Sequence, residues 1–227
     1  NTNWGTTHAV TPRITSLTIK NSQVTQFLGH ITLFNIDNWT FSNNYFFESA
    51  GFRVANNSKN GKFSNNNLYP HNSYSFIPPV FLGDTSFNNE EIYNITFNNN
   101  TFNGTRLIFR FSDNITLFNN TLFKVVGTSN FNLELRDNAS NINLTENKFN
   151  SGGRSIIIHE TLSNGFFYNN LFNNTIPTTT DAFTSHNSIF INNRFYDLGG
   201  TQIYFVKLGN NNTLINETYS GTFTRNL

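Results

Sequence analysis

The chain alternates short apolar pairs with asparagine-rich steps, and the alternation recurs. "NITFNNNTF" (94–102) is followed twenty residues later by "NITLFNNTLF" (114–123). Each phrase ends on an apolar anchor, with an apolar residue five before it, usually Asn two before it, and often a further apolar residue seven before it. The anchors are Val24, Phe46, Leu68, Phe102, Leu122, Phe149, Phe172, Phe195 and Tyr219, and the steps between them are 22, 22, 34, 20, 27, 23, 23 and 24 residues. A second apolar segment lies between most anchors: "ITLF" (31–34), "FRV" (52–54), "RLIFRF" (106–111), "FNLEL" (131–135), "SIII" (155–158) and "QIYFV" (202–206). Period-two alternation with β-branched and aromatic residues predicts strands. Clusters of Gly, Asn, Asp and Ser between them predict turns. No stretch carries an amphipathic helical period.

Two or three short strands repeated about every 23 residues predict an all-β solenoid. One turn cannot bury its inward row alone, and stacking makes the core continuous. Parallel strands about 4.8 Å apart would build nine coils into a rod on the order of 40 Å long. Asn fits the corners because it tolerates the left-handed conformation and can bond nearby backbone. Asn44, Asn66, Asn100, Asn120, Asn147, Asn170 and Asn193 are expected to stack as an inward amide ladder, with the anchors in the row beside it. The expected organisation is a single domain over 1–227. The long step between Leu68 and Phe102 holds an irregular insertion at about 69–86, where Pro78-Pro79 cannot donate ladder hydrogen bonds. Tyr69, His71, Tyr74 and Phe76 are expected near the base of a protruding loop.

The repeat phrase and its spacing resemble the right-handed parallel β-helix proteins of the pectate-lyase-like superfamily, over about residues 14–220. That resemblance implies a right-handed parallel β-helix. The superfamily includes polysaccharide lyases and hydrolases, phage tailspikes, autotransported adhesins and surface proteins, and a fold alone does not choose among them. The Asn-Thr-Asp, Asp-Asp, Gly-His-Gly and Arg-Ile-Lys segments in which polygalacturonases resemble one another do not occur: His30 is followed by Ile31, and "RIT" at 13–15 lacks the Lys.

Composition narrows the chemistry. Charged residues make up 12% of the 227 and the net charge is +1, so no basic patch argues for a nucleic-acid partner. Cysteine is absent, which rules out disulfides and thiolate metal sites. Methionine is absent too, even at position 1, which suggests a processed or truncated product. No apolar run reaches the roughly 20 residues of a membrane span. No cofactor or metal is implied. The 13 acidic residues are scattered, whereas glycoside hydrolysis needs two facing carboxylates. Glu90 and Glu91 are adjacent and would point to opposite faces of a strand.

One set of charges aligns. Arg110, Arg136, His159 and His186 are expected near one outward column, with Glu134, Asp137 and Glu160 beside it. Such a stripe could serve acid–base chemistry, ligand contact or plain solvation. The acceptor pattern Asn-X-Ser/Thr occurs at Asn38, Asn56, Asn94, Asn99, Asn103, Asn114, Asn119, Asn138, Asn143, Asn173, Asn211 and Asn216. Asn94, Asn99, Asn114 and Asn119 flank inward residues and are the leading glycosylation candidates. The expectation is a non-catalytic structural or adhesive protein of a cell or virion surface. It would be N-glycosylated and would join copies of itself or another surface protein through its coil ends. Glycans are further possible partners. The competing expectation is a carbohydrate-active lyase or hydrolase, or a tailspike-like glycan binder.

Overall fold

The computed structural model describes residues 13–25, 31–49, 52–55, 57–70, 79–82, 92–123, 131–151, 154–158, 162–174, 185–197, 203–204, 211–220 and 223–224. Every regular element among them is a strand, and every strand pairing is parallel, as in a solenoid. The first face stacks Leu17–Lys20, Asp37–Ser42, Lys59–Ser64, Ile92–Asn98, Ser112–Phe118, Ser140–Thr145, Phe166–Tyr168, Ile189–Ile191 and Thr213–Ile215 in chain order. The second face stacks the strand that follows each of these, from Gln23–Thr25 to Thr218–Ser220.

The third face stacks Ile31–Phe34, Phe52–Ala55, Pro79–Leu82, Arg106–Arg110, Phe131–Arg136 and Arg154–Ile158. Ile203–Tyr204 and Phe223–Thr224 pair separately. Among the described residues, continuous three-sided turns therefore number six, fewer than the nine coils expected from the anchors, although nine rungs persist on the other two faces. The anchors lie on the second face, so their spacing reports that face and cannot count complete turns.

All nine anchors share one register column, from Val24 opposite Phe46 through to Phe195 opposite Tyr219. The seven interior anchors are buried, Val24 packs partly buried against the core, and Tyr219 is 36% exposed at the last rung. Toward the C-terminus the column becomes a stack of rings. Phe149 and Phe172 lie 5.0 Å apart, Phe172 and Phe195 4.8 Å, and Phe195 and Tyr219 5.3 Å, with ring planes within 11° of parallel. Strand spacing sets those distances, and offset stacked rings are a favourable arrangement there.

Trp39 and Gly61 face each other in register on the first face. A Cβ at position 61 would overlap the Trp39 ring, so the glycine makes room for the largest side chain of the core. Of the expected insertion, Tyr69 and Pro70 close a second-face strand, and Pro79 opens the third-face strand Pro79–Leu82, the position in a strand where a missing donor does least harm. Residues 71–78 and 83–86 lie outside the described residues, with His71, Tyr74 and Phe76 among them.

Candidate functional site

Polar groups concentrate in two places, the corner between the first and second faces and the outer side of the third face. At the corner, the seven expected ladder asparagines are all buried. From Asn66 to Asn193, each accepts two bonds at Oδ1 from the Asn of the preceding turn. Asn120 Oδ1 takes the Asn100 backbone N–H and Nδ2, both at 2.9 Å. Its own Nδ2 donates to the Phe97 carbonyl at 3.0 Å and to Asn147 Oδ1 at 3.0 Å. The ladder begins at Ser22, whose N–H donates to Asn44 Oδ1, and ends at Glu217, whose Oε1 accepts from Asn193.

An outer row of corner residues stands one position before the inner one. Asn21, Asn43, Asn65, Asn99, Asn119, Glu146, Asn169, Asn192 and Asn216 adopt left-handed φ between 51° and 58°. Only a short polar side chain or Gly takes that conformation cheaply, which explains the doubled asparagines of the phrase. Glu146 departs from the row. It lines a surface groove of about 280 Å³ together with Lys148, Arg194, Asn119, Asn169 and Leu171.

The predicted glycosylation acceptors fall largely in these rows. Asn94, Asn99, Asn114 and Asn119 are exposed and left-handed. Their amides are occupied: Asn119 Nδ2 donates to Asn99 Oδ1 at 2.8 Å, Asn114 Nδ2 to Asn94 Oδ1 at 3.4 Å, and Asn94 Nδ2 to Asn60. Asn211 Nδ2 donates to Asn187 Oδ1 at 3.2 Å, and Asn143 Oδ1 accepts from Thr145. Asn173 is half-buried, while Asn38, Asn103, Asn138 and Asn216 are exposed. Asn56 lies outside the described residues.

On the third face, Leu107, Phe109, Leu133 and Leu135 point inward and are fully buried. Alternation turns Arg106, Ile108 and Arg110 outward on one strand, and Asn132, Glu134 and Arg136 on the next. Arg110 and Arg136 are register partners, so two guanidinium groups stack one rung apart. Asp137, left-handed at φ 54°, ends the strand and carries its carboxylate to both. Its Oδ2 lies 3.1 Å from Arg136 Nε and 3.6 Å from Arg110 Nε. Arg136 Nη1 donates to Glu134 Oε1 at 3.2 Å. Burial lowers the pKa of Arg53, Arg106 and Arg110 from the usual arginine range. For Arg110 the like charge of Arg136 adds to that lowering, against the opposing pull of Asp137 and Glu134.

The outward side chains Ile108, Asn132 and Glu134 are nevertheless at most 5% exposed. The Asn132 amide has no hydrogen-bond partner at either end. Guanidinium forks beside a buried amide can recognise a planar anion or a polyol.

The structure therefore brings together Arg110, Glu134, Arg136 and Asp137 of the expected stripe. His186 does not join them. It pairs with Ser163 beside the first face, in a different sheet. His186 stands fourteen residues after the anchor Phe172, as Arg136 does after Leu122, yet the two fall in different sheets. Register counted from the following strand, Ile189–Ile191, places His186 correctly. His159 and Glu160 lie outside the described residues. Arg53, Arg106 and Asn132 were missed, although outward alternation in "FRV" and "RLIFRF" carried the signal for the two arginines. Among the described residues, no three His, Cys, Asp or Glu side chains converge as a metal site would require. No helix among them is long and apolar enough to cross a membrane.

The sequence matches no family profile and no curated protein. Among solved structures it is similar to a trypsin-treated variant of QnrB1, a plasmid-mediated fluoroquinolone resistance protein. The identity is 13%, the alignment covers 92% of this chain and 91% of that one, and the TM-score is 0.33. A likeness at that level says nothing about function. The chain is a parallel β-solenoid repeat protein on its own strand pairing.

Proposed function

We propose that the chain is a non-catalytic structural or adhesive surface protein that assembles through its coil ends. The carrying observation is that the core does not close at its last rung. Tyr219 continues the ring stack from Phe195, yet it and Leu214, both in inward columns, are 36% and 37% exposed. At the other end Leu17, Ile19 and Val24 are only partly buried. Among the described residues, the terminal strands of both long sheets also have a partner on one side only. Unpaired strand edges with half-covered apolar rows favour pairing with another chain. Joining one end to the other is heterologous and would extend as a filament.

An extracellular location on a cell or virion surface, N-glycosylation and a pectate-lyase-like ancestry belong to the same proposal. Acceptors outside the amide rows, such as Asn103 and Asn138, suit a glycan better than Asn94, Asn99, Asn114 and Asn119, whose amides are already bonded or stand one rung apart.

Light scattering across a concentration series tests assembly, with the intact mass of natively produced protein reporting glycans. The expected result is growth in particle mass with concentration, abolished by Tyr219→Lys. A stable contact should bury more than about 1,000 Å². A monomer at all concentrations would reject the reading.

The second reading, a carbohydrate-active or tailspike-like glycan-binding protein, is favoured by the arginine–carboxylate cluster around the unpartnered Asn132 amide. Saturable binding of an oligosaccharide, lost in Arg110→Ala, would move weight to it.

A further inference from the structure

The internal ladder has a fixed direction, and its last member is not an asparagine. In every turn from Asn44 to Asn193, Nδ2 donates to the carbonyl three residues before the ladder residue of the preceding turn. Asn147 reaches Leu117 O at 2.8 Å, Asn170 reaches Leu144 O at 2.7 Å, and Asn193 reaches Phe167 O at 2.8 Å. Each Oδ1 from Asn66 onward accepts from the preceding Asn, and that of Asn44 from the Ser22 N–H. Glu217 occupies the next position. Its Oε1 takes the acceptor role, receiving the Asn193 N–H at 3.1 Å and Nδ2 at 3.2 Å.

The other carboxyl oxygen, Oε2, is then left where the asparagines have their Nδ2. By the same register, an Asn at this position would donate Nδ2 to the carbonyl of Phe190, three residues before Asn193. Oε2 is buried and has no hydrogen-bond partner. Two oxygens with lone pairs cannot bond each other, and a buried unpaired acceptor is unfavourable. A proton on Oε2 removes the conflict, because a carboxylic acid offers one acceptor and one donor, as a primary amide does.

We propose that Glu217 closes the ladder as a carboxylic acid, its Oε2–H standing in for the Asn amide hydrogen, so that ionisation of Glu217 loosens the last turn. Burial acts in the same direction. It raises the carboxyl pKa to about 7, against the two bonds from Asn193, which lower it. No charged side chain contributes to that shift. Among the described strands packed on this turn, Ile189–Ile191, Thr213–Ile215 and Thr218–Ser220 have no charged residue. Arg194–Asp197 carries the exposed Arg194 at its start and Asp197 at its end.

The sign follows from linkage. The closed turn holds the proton up to about pH 7, while an opened turn releases it near the ordinary value of 4.5. Opening therefore releases a proton and becomes easier as pH rises between those values. The stabilisation is complete below the lower value, and no further loss occurs above the higher one.

Two measurements on the full chain test this inference, and neither depends on the assembly proposal. Carboxyl ¹³C shifts of glutamate-labelled protein should show Glu217 titrating with a midpoint near 7; a midpoint near 4.5 overturns the proposal. Hydrogen exchange of the Asn193 amide, corrected for intrinsic pH dependence, should lose protection several-fold per pH unit inside that window. The limit is about tenfold per unit for one proton, and partial exposure keeps the effect below it. Glu217→Gln supplies the donor permanently, so its protection should be flat with pH and exceed wild type above neutrality. Equal pH dependence in the two proteins, or a Gln variant less protected at every pH, overturns it.

Discussion

The corner between the first two faces and the outer side of the third face hold their polar groups in opposite ways. The corner uses neutral amides that repeat in every turn, so each Asn is donor and acceptor to its neighbours and the row has no free position between Asn44 and Asn193. The third face carries an ion-paired cluster of full charges in two adjacent turns, Arg110 and Arg136 balanced locally by Asp137 and Glu134. A repeated neutral ladder tolerates burial because every group is satisfied. A buried charge requires a specific counter-charge, so it cannot simply be repeated turn after turn. Architecture therefore favours the first device, and a local site favours the second.

The largest effect should come from the ring stack that the ladder flanks. Phe172 is 1% exposed and lies between Phe149 and Phe195. Phe172→Ala should destabilise the fold by about 3–5 kcal/mol, read as a lowered denaturant midpoint. A loss under about 1 kcal/mol would mean that the column is not the core and would dissolve the contrast.

Next is the ladder itself. Asn120→Leu keeps the size but leaves the Asn100 backbone N–H and amide and the Phe97 carbonyl without that partner, and removes one of the two donors to Asn147 Oδ1, which keeps the backbone N–H of residue 120. Each buried group left unsatisfied costs about 1–3 kcal/mol, and partial relaxation should hold the total on the order of 3 kcal/mol. Chemical denaturation of this variant beside an outer-row variant such as Asn119→Ala sharpens the comparison. The inner substitution should cost more, because Asn119 is exposed and water can replace its bond to Asn99.

The corner was legible in the sequence because its signal repeats. Seven asparagines two before seven apolar anchors define both the row and its direction of burial, and the residue before each supplies the left-handed turn. The third face was legible only as strands. Arg53 and Arg106 have no arginine at the register position of an adjacent turn, so no periodicity marks them, and the burial of Ile108 and Asn132 on an outward side has no sequence signature. His186 shows a related weakness. It stands at the same distance from the previous anchor as Arg136 does, but connections of unequal length make such counting valid for one face only. Gly61 is a third case: its role depends on Trp39 one turn away, a pair that only the register reveals. The ends were the hardest to read. Glu217 stands where the pattern calls for Asn two before the anchor Tyr219, yet its carboxyl occupies the same place in the ladder.

The smallest effect should come from the charged cluster, and Asp137→Asn isolates it. Asparagine accepts the left-handed conformation at position 137 as readily as aspartate, so the backbone should not change. Only the charge between Arg110 and Arg136 is removed. Those side chains keep 16% and 33% of their exposure, so solvent screens part of their mutual repulsion. The expected loss is about 1 kcal/mol at low salt, measured by thermal unfolding. Its distinguishing feature is salt dependence. Raising ionic strength toward 1 M shortens the screening length to about 3 Å, so the gap between variant and wild type should narrow. The deficit of Asn120→Leu should persist, since it comes from unsatisfied neutral groups. If the Asp137→Asn deficit were unchanged by salt, the carboxylate would act through hydrogen-bond geometry, and the third face would resemble the corner after all.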